Sequence, residues 1–372
     1  MTDPADNPAP DAAFWKGRRV FVTGHTGFKG GWLVAMLRHL GARTYGYALA
    51  PDTQPSLFDA ANVAGMCNHL IADIRDAGAL AGAVRNARPE IVIHMAAQSL
   101  VRRSYRDPLE TMQVNVLGTA NLLEACRAVE GILAVVNVTT DKCYENRDRL
   151  EGYRETDRLG GRDPYSASKA CSEILTAAWR ESFFAGAEGN ATLALASARA
   201  GNVIGGGDWC EDRIIPDAVR AFSAGKPLIV RNADAVRPWQ HVLEPLSGYL
   251  LLAERLAKKG KAFAKAWNFG PEKDKVYSVA RLVEEFSSYW GGPAEWENRA
   301  DPDAPHEAKS LVLDSAEARR EISWRARLGF GEAVRLTAEW YAAYHAGADS
   351  AALAALTERQ IAGYLDAVRA ET

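Results

Sequence analysis

The chain has 372 residues, with 44 lysines and arginines against 47 aspartates and glutamates, for a formal net charge of −3 at pH 7. A chain of this length can bury a large core, and its 48% hydrophobic and 24% charged residues are typical of an ordinary soluble protein. The charge argues against a nucleic-acid binder driven by a basic field, and no apolar run is long enough to span a membrane.

The amino terminus and the cysteines indicate where the protein works. Residues 1–13 are rich in Pro, Asp and Ala, with no basic start and no apolar stretch, which predicts a disordered leader, not a signal peptide. The cysteines are scattered, odd in number and form no C-x-x-C pair: Cys67, Cys126, Cys143, Cys171 and Cys210. This pattern favours free thiols in a reducing cytoplasm over a disulfide framework or a metal site.

A glycine-rich turn follows the first predicted strand, Arg19–Val22. Residues 23–30 read TGHTGFKG, with glycines three apart at 24, 27 and 30, and a helix is predicted over 32–40. Glycine lets backbone N–H groups approach a pyrophosphate, and the helix N-terminus favours its negative charge. The plainer alternative is a turn that only joins two elements. The position between strand and helix favours a dinucleotide site.

Strands and helices then alternate over about two hundred residues. The predicted strands are 44–49, 91–94, 133–139 and 191–199, and the predicted helices are 77–86, 109–128 and 165–184. This alternation predicts an α/β fold with a doubly wound parallel sheet covered by helices on both faces.

Beyond Gly205 the alternation of strands and helices ends, and short elements separated by Gly and Pro follow. This pattern predicts a second, smaller mixed α/β lobe that forms a binding surface. We expect the nucleotide-binding domain to comprise residues 14–204 plus about 238–270. The substrate lobe would comprise 205–237 plus 271–345. Residues 346–372 would form a C-terminal surface helix, to which we assign no function.

A second informative segment is Thr139–Lys142, at the end of the predicted strand 133–139. Ligands of open parallel sheets bind beyond the carboxyl ends of strands, so these side chains should face the cleft. Twenty-five residues after Thr140 comes Tyr165, and Lys169 lies four residues further on the same helical face. A nearby ammonium stabilises a phenolate and would lower the pKa of Tyr165, which would then accept the proton of a hydroxyl losing hydride. The Y-x-x-x-K pair alone is common by chance, but together with the glycine turn and the strand-end threonine it is specific.

Further segments complete a family pattern: HMAAQ at 94–98, RRSY at 102–105, NVLGT at 115–119, RAGNV at 199–203, GGGDW at 205–209 and RPWQHV at 237–242. From about Gly17 to Tyr344 the chain resembles the nucleotide-sugar 4,6-dehydratases of the extended short-chain dehydrogenase/reductase superfamily. The resemblance implies a Rossmann-like fold, an NAD cofactor and a nucleotide-diphosphate sugar substrate, with CDP-glucose favoured. It also implies a homodimer formed by pairing two helices per subunit, with a tetramer as the alternative, and neither nucleic acid nor a membrane as partner.

The resemblance also implies roles for individual residues. Those expected at the cofactor are Gly24, His25, Thr26, Gly27, Phe28, Lys29, Gly30, Asp73, Ile74, Ala96, Ala97, Gln98, Asn115, Tyr165 and Lys169. Those expected at the substrate are Gln98, Arg102, Arg199, Asn202, Arg237 and His306. For Arg199, Arg237 and His306 a structural role is an equal alternative. His25 and Lys29 are expected to reach the cofactor phosphates, although exposure is the alternative for Lys29.

The catalytic set implied by the resemblance is Thr140, Asp141, Lys142, Tyr165 and Lys169. Thr140 would hold the substrate hydroxyl, Tyr165 would take its proton, and Asp141 would protonate the hydroxyl that leaves from C6. The third residue of the Thr-Asp motif is usually Glu in these dehydratases, but here it is Lys142. A lysine base must be neutral when it acts. The alternative is that Lys142 orients Asp141 or stabilises the enolate.

Two questions stay open from the sequence. The acidic residue expected to bind the adenosine ribose is missing from the end of the second strand, where Tyr47–Ala50 is apolar, and Asp52 is the nearest substitute. The expected chemistry favours NAD and leaves NADP open. The function alternatives are another dehydratase or 4-epimerase of the superfamily, or a non-catalytic NAD-binding sensor. An epimerase has no need for the Asp141–Lys142 pair, and a sensor has no need for Tyr165.

Overall fold

A seven-stranded parallel sheet organises the molecule in the computed structural model, which describes residues 9–147, 149, 151–184, 193–299 and 311–370. The strands are β1 (Arg19–Thr23), β2 (Arg43–Ala48), β3 (Asn68–Ile71), β4 (Ile91–His94), β5 (Ala134–Val138), β6 (Ala194–Ala200), β7 (Val203–Ile204), β8 (Leu228–Val230), β9 (Val236–Arg237), β10 (Gln240–His241), β11 (Ala266–Phe269), β12 (Tyr277–Ser278) and β13 (Trp296–Asn298). The helices are α1 (Ala12–Trp15), α2 (Phe28–His39), α3 (Leu57–Ala60), α4 (Ala77–Ala87), α5 (Val101–Arg106), α6 (Pro108–Met112), α7 (Gly118–Arg127), α8 (Pro164–Trp179), α9 (Ile214–Ser223), α10 (Leu243–Lys259), α11 (Val279–Ser288), α12 (Phe330–His345) and α13 (Ser350–Ala370).

The strand order is β11-β6-β5-β4-β1-β2-β3, and the pairs in this sheet are parallel. Alternate side chains of β1 enter different cores. Val20 and Val22 pack in the core that includes Trp32, whereas Phe21 packs with Leu80 and Leu122 on the other face. The predicted doubly wound sheet with helices on both faces is confirmed. Its order reverses between β1 and β4, where open sheets of this kind form their ligand crevice.

Several elements differ from the sequence expectation. The helix expected over 109–128 is α6 and α7 joined by a π-helical segment, Gln113–Leu117, and the helix expected over 165–184 is α8 followed by a second such segment, Arg180–Phe184. The sequence analysis missed β3, which is short and lies exposed at the sheet edge, and β11, which reaches the opposite edge. Residues 191 and 192 of the last predicted strand lie outside the described residues.

The amino-terminal residues correct another expectation. Of the predicted disordered leader, residues 9–13 are placed against α10, with Ala9 buried. The Asp11 backbone N–H and the Trp15 indole N–H donate to the same oxygen of Glu254, at 2.8 and 2.7 Å. The physical reason is that buried Trp15 anchors the segment and the buried Glu254 carboxylate requires donors.

Outside the main sheet, short strands form three pairs among the described residues: β7 with β10, β9 with β12 and β8 with β13. Helix α13 packs against α2 and α12, and its Tyr364 donates to the buried carboxylate of Glu244 at 2.9 Å. The domain boundaries given above stay a prediction. In the part of the chain that the structure describes, no helix has the length and apolarity needed to cross a membrane.

The glycine turn is tightly packed, and this generates a stability prediction. A Cβ on Gly30 would lie 2.0 Å from the Gly24 carbonyl oxygen. Gly30→Ala is therefore expected to lower the free energy of unfolding by about 1–3 kcal/mol, measured by urea unfolding followed by circular dichroism. Gly82→Ala in α4, where nothing lies within 4 Å of the new Cβ, is the control and should stabilise by about 0.5–1 kcal/mol. An unfolding midpoint for Gly30→Ala equal to that of the native protein would contradict the prediction.

Candidate active site

A single continuous cavity of about 1550 Å³ lies over the carboxyl ends of the central strands. Its lining includes the glycine turn, the strand end at Thr140, Tyr165 and Lys169 from α8, and Arg237 from the second lobe. The sheet thus brings together residues that lie far apart in the chain. Because the cavity runs from the glycine turn into the second lobe, it has room for a dinucleotide and a second ligand beside it.

The glycine turn has the features of a phosphate cradle. Gly24 adopts a φ of +79°, and a Cβ there would lie 2.7 Å from the Ala96 nitrogen, so only glycine fits between β1 and the end of β4. Gly27 begins α2, and no side chain caps the helix. The N–H groups of the first turn of α2 are therefore available to an anion entering the cavity. Thr26, Phe28 and Gly30 also line it.

His25 and Lys29 differ in where their side chains lie. The His25 ring lies outside the cavity lining, packed against Phe58 and His69 with ring centroids 5.6 and 5.5 Å away, and burial lowers its pKa to about 4. The expectation that this imidazole reaches the phosphates therefore does not fit its placement, because the glycine at residue 46 of β2 leaves room for the ring beneath the turn.

The Lys29 ammonium does face the cavity, and it donates to the Tyr249 hydroxyl at 3.1 Å. Burial lowers the pKa of Lys29 to about 7, the cations of Lys169 and Arg213 lower it further, and Asp141 opposes them. Lys29 thus belongs to the electrostatics of the reacting centre as well as to the glycine turn.

The adenosine side of the cavity includes Asp73, Ile74 and the end of β2. The Asp73 carboxylate pairs with Arg75 at 2.5 Å, which lowers the pKa of Asp73. Its carbonyl accepts from the Tyr47 hydroxyl at 2.8 Å. Asp52, the candidate substitute for the missing ribose-binding acid, lies in the lining with an exposed carboxylate.

The segment after β4 lines the cavity with Ala96, Ala97 and Gln98. Asn115 holds it from behind, because its amide accepts from the Gln98 N–H at 2.9 Å and donates to the Ser168 hydroxyl at 2.8 Å. The Gln98 amide donates to Thr111 at 2.9 Å. Asn115 does not line the cavity; it links the segment after β4 to α8.

Thr140, Asp141 and Lys142 form a compact group on a short 3₁₀ turn that follows β5. The Thr140 hydroxyl donates to Asp141 Oδ1 at 2.9 Å, and Lys142 Nζ donates to the same oxygen at 3.4 Å. Asp141 is 1% exposed, and its Oδ2 has no hydrogen-bond partner among the described residues. A buried carboxyl oxygen without a partner is costly unless a ligand supplies one.

Tyr165 and Lys169 face the cavity from α8, as their spacing predicts. Burial raises the pKa of Tyr165 above its usual range, while a hydrogen bond with Thr140 opposes that rise. This direction is opposite to the lowered pKa expected from the sequence, because desolvation of the phenolate dominates. Burial also lowers the pKa of Lys169 to about 8, and Glu173 opposes it.

Arg199 is not available to a substrate diphosphate, which corrects its predicted role. Its guanidinium is 3% exposed and binds Glu173 through two hydrogen bonds of 2.9 and 2.8 Å. A third bond of 2.6 Å reaches the Tyr144 hydroxyl. The side chain is satisfied inside the protein, beneath the cavity floor.

The other predicted substrate residues have three different placements. Asn202 and Arg237 line the cavity, and Asn202 Oδ1 has no partner among the described residues. Arg102 also lines it, 3.5 Å from Asp212. His306 lies outside the described residues.

Sequence reasoning missed three residues that surround this site. Arg213 lines the cavity, pairs with Asp208 at 2.8 Å and donates to Ser99 at 3.2 Å. Tyr249 holds Lys29, and nothing in the sequence marks it. Glu173 continues the four-residue spacing of Tyr165 and Lys169, a signal that was available. Among the described residues, no three His, Cys, Asp or Glu side chains are arranged to hold a metal ion.

Comparison with known proteins identifies the family. A sequence model described as GDP-mannose 4,6 dehydratase matches residues 21–337. The chain belongs to this family. It is 46% identical to the CDP-glucose 4,6-dehydratase of Salmonella typhimurium over 362 residues, which cover 96% of this chain and 99% of that protein. It is 27% identical to the dTDP-glucose 4,6-dehydratase of the same organism, over 87% of this chain and 93% of that protein.

Solved structures agree with the fold. A dTDP-glucose 4,6-dehydratase double mutant from Streptomyces venezuelae, with NAD and DAU bound, has a TM-score of 0.72 at 26% identity and covers 87% of this chain and 96% of its own. The UDP-glucose 4-epimerase of Stenotrophomonas maltophila, with bound NAD and formylated UDP-arabinopyranose, has a TM-score of 0.76 at 22% identity, over 89% of this chain and 100% of its own. The second likeness concerns the fold alone.

Proposed function

We propose that the protein is a CDP-glucose 4,6-dehydratase, an NAD-dependent hydro-lyase that converts CDP-D-glucose to CDP-4-keto-6-deoxy-D-glucose and water. The observation that carries the proposal is the Asp141–Lys142 contact at the strand end: Lys142 lines the cavity together with Tyr165, and Asp141 is buried directly behind that lining. The 46% identical relative, a CDP-glucose 4,6-dehydratase, supports the substrate. The five unpaired cysteines support a cytoplasmic location.

The donor set of the glycine turn fits NAD. The uncapped first turn of α2 would hold the pyrophosphate, Asp73 and Ile74 would border the adenosine, and Ala96 and Ala97 would line the path to Tyr165. When bound, NAD supplies the hydride acceptor for C4 of the sugar and returns that hydride at C6. Asn115 acts from behind by fixing the lining segment at Gln98.

Tyr165, Thr140 and Lys169 manage the proton of the C4 hydroxyl. Thr140 lies between Tyr165 and Asp141, with hydrogen-bonding interactions toward both, so it can hold the substrate oxygen in line with the phenol. Tyr165 takes the proton as C4 is oxidised. The Lys169 ammonium offsets the cost of a buried phenolate, which is high because burial raises the pKa of Tyr165.

Elimination needs an acid and a base, and the contacting side chains of Asp141 and Lys142 would supply them when the pair holds a single proton. With the proton on Asp141, the neutral Lys142 amine removes the C5 proton while Asp141 protonates the departing hydroxyl at C6. The Lys142 ammonium then returns its proton to C5 as hydride is restored at C6. The proton that Tyr165 took from the C4 hydroxyl passes through Thr140, whose hydroxyl bonds to Asp141 Oδ1 at 2.9 Å, and reprotonates Asp141. Asp141 Oδ2, buried and without a partner among the described residues, is the oxygen to which we assign the transfer to the leaving hydroxyl.

Substrate identity is tested with a panel of nucleotide-glucoses. CDP-glucose is expected to give a 4-keto-6-deoxy product, measured by NMR, faster than the UDP, dTDP or GDP analogues. Tyr165→Phe is expected to keep CDP-glucose affinity but lose turnover by 10²-fold or more, because only proton transfer is removed. A faster reaction with another nucleotide would reassign the substrate. Conversion to a C4 epimer would instead identify an epimerase.

The roles of Asp141 and Lys142 are separated by exchange of the C5 hydrogen with solvent deuterium. Lys142→Ala is expected to lose both exchange and product, since the C5 base is absent. Asp141→Asn should lose product but keep exchange, because its defect is at the leaving oxygen. Oxidation at C4 is followed independently by nicotinamide absorbance. If Lys142→Ala still exchanged the C5 hydrogen at the native rate, Lys142 would not be the C5 base, and its role would be to orient Asp141.

A homodimer is part of the proposal, supported by a group of exposed apolar side chains on the helices expected to pair. Leu109, Leu117, Ile174 and Phe183 are 74%, 57%, 59% and 46% exposed. Trp179, also expected at this face, is partly buried and donates to Glu124 at 2.8 Å. Large apolar side chains clustered in this way mark an interface.

The native protein is expected to be a dimer at micromolar concentration in light scattering, with a tetramer as the larger alternative. Leu117→Glu combined with Ile174→Glu should give a monomer, because two charges would have to enter the interface without partners. Leu70→Glu on the exposed strand β3 is the matched control and should leave the dimer intact. A native monomer would refute this assembly.

A further inference from the structure

The carboxylate of Glu173, on α8 four residues after Lys169, has all its hydrogen-bonding needs met inside the protein. Glu173, 3% exposed, accepts hydrogen bonds from Arg199 at 2.9 and 2.8 Å, from Ser197 at 2.6 Å and from Thr139. These donors come from the ends of β5 and β6. Glu173 therefore ties α8 to the two strands that flank the catalytic turn.

The helical spacing directs this carboxylate toward the catalytic lysine. Tyr165, Lys169 and Glu173 follow one another at intervals of four residues in α8, so they share one face. Glu173 lies outside the cavity lining, whereas Tyr165 and Lys169 lie within it. Glu173 therefore acts on the cavity through neighbours that line it: Lys169 on the same helical face, and Thr139, which donates to its carboxylate.

Lys169 is surrounded by groups from four elements. Lys29 on α2 repels it, His94 on β4 is neutral because burial lowers its pKa to about 3, and Cys143 after β5 is neutral because burial raises the pKa of its thiol. Tyr165 and Glu173 lie on its own helix. Of the described groups that act on Lys169, Glu173 is the one that carries a negative charge at neutral pH.

Arg199 fixes the carboxylate in this role. Its two bonds to Glu173 hold the plane of the carboxylate, and its third bond to Tyr144 is continued by a 2.8 Å bond from Tyr144 to Asn268 on β11. Arg180, at the end of α8, is the other cation on which Glu173 acts. Tyr144 and Thr139 line the cavity, whereas Glu173 and Arg199 do not. Glu173 and Arg199 therefore act on the reaction through neighbouring side chains of the lining, of which Lys169 is the charged one.

We propose that Glu173 is a positioning residue that, from the same face of α8, keeps Lys169 protonated beside Tyr165, with Arg199 as its anchor. The role of Lys169 in turnover rests on the proposed function. The electrostatic part does not, because it concerns two side chains of this chain.

The test is a pH titration of Lys169 by NMR of protein labelled with [¹³C]lysine, with the signal assigned through Lys169→Met. Glu173→Gln is expected to lower the pKa of Lys169 by roughly one unit, because the anion that opposes its desolvation is removed. The ammonium is then lost at a lower pH. The alkaline limb of the pH profile for CDP-glucose turnover should move down by the same amount.

Glu254→Gln is the matched control, since Glu254 is equally buried but holds the amino-terminal segment on α10. It should change stability without moving the pKa of Lys169. If Glu173→Gln fails to fold, the double variant Glu173→Gln, Arg199→Met removes both buried charges and should lower the Lys169 pKa in the same direction.

An unchanged Lys169 pKa in the folded Glu173 variants would overturn the proposal. A lowered pKa in a protein whose native form does not convert CDP-glucose would sustain the positioning role and refute the proposed function instead. A loss of turnover with no movement of the pH profile would assign Glu173 a purely structural role and overturn the proposal as well.

Discussion

The site depends on one constraint: ionisable side chains are buried away from water at the carboxyl ends of the central strands. Lys29 and Lys169 are buried, and burial lowers the pKa of Lys29 to about 7 and that of Lys169 to about 8. The same burial raises the pKa of Tyr165. Each effect penalises the charged form, and neighbouring opposite charges and hydrogen bonds oppose it. The arrangement of buried ion pairs therefore determines which groups exchange protons during turnover.

Two carboxylates respond to this constraint in different ways. Glu173 is saturated by donors and bound to Arg199, so it remains an anion and a fixed source of negative potential. Among the described residues, one oxygen of Asp141 has no hydrogen-bond partner, and the other accepts from Thr140 and Lys142. A carboxylate whose acceptor sites are all filled supplies a fixed negative potential, whereas one with an unfilled site can still bind a group of the ligand. The difference follows from hydrogen-bond donors, because both groups are buried.

Local sequence patterns predicted those site residues whose arrangement is set within a single helix or turn. The glycine turn depends on three spaced glycines, and Tyr165 and Lys169 depend on one helical turn, so their spacing, taken together with the strand-end threonine, predicted that these residues share a cavity. Arg199 could not be placed in this way, because its partner Glu173 is 26 positions away and the two meet only when β6 packs against α8. His25 was misjudged for a similar reason, since the space that receives its ring is created by Gly46 on the neighbouring strand.

In the fold, too, the elements with a strong local sequence pattern were predicted, and those that depend on pairing with distant strands were not. Buried parallel strands and amphipathic helices were predictable from apolar runs and periodicity, while β3 and β11 were not. The side chains of β3 are exposed, the apolar run of β11 is interrupted by Asn268, and the membership of each strand in the sheet is decided by pairing with β2 and β6. The reacting centre is therefore easier to predict than its boundaries. The central strands β1, β4 and β5 that carry it are buried, and their continuous apolar runs are the strongest signal in the chain.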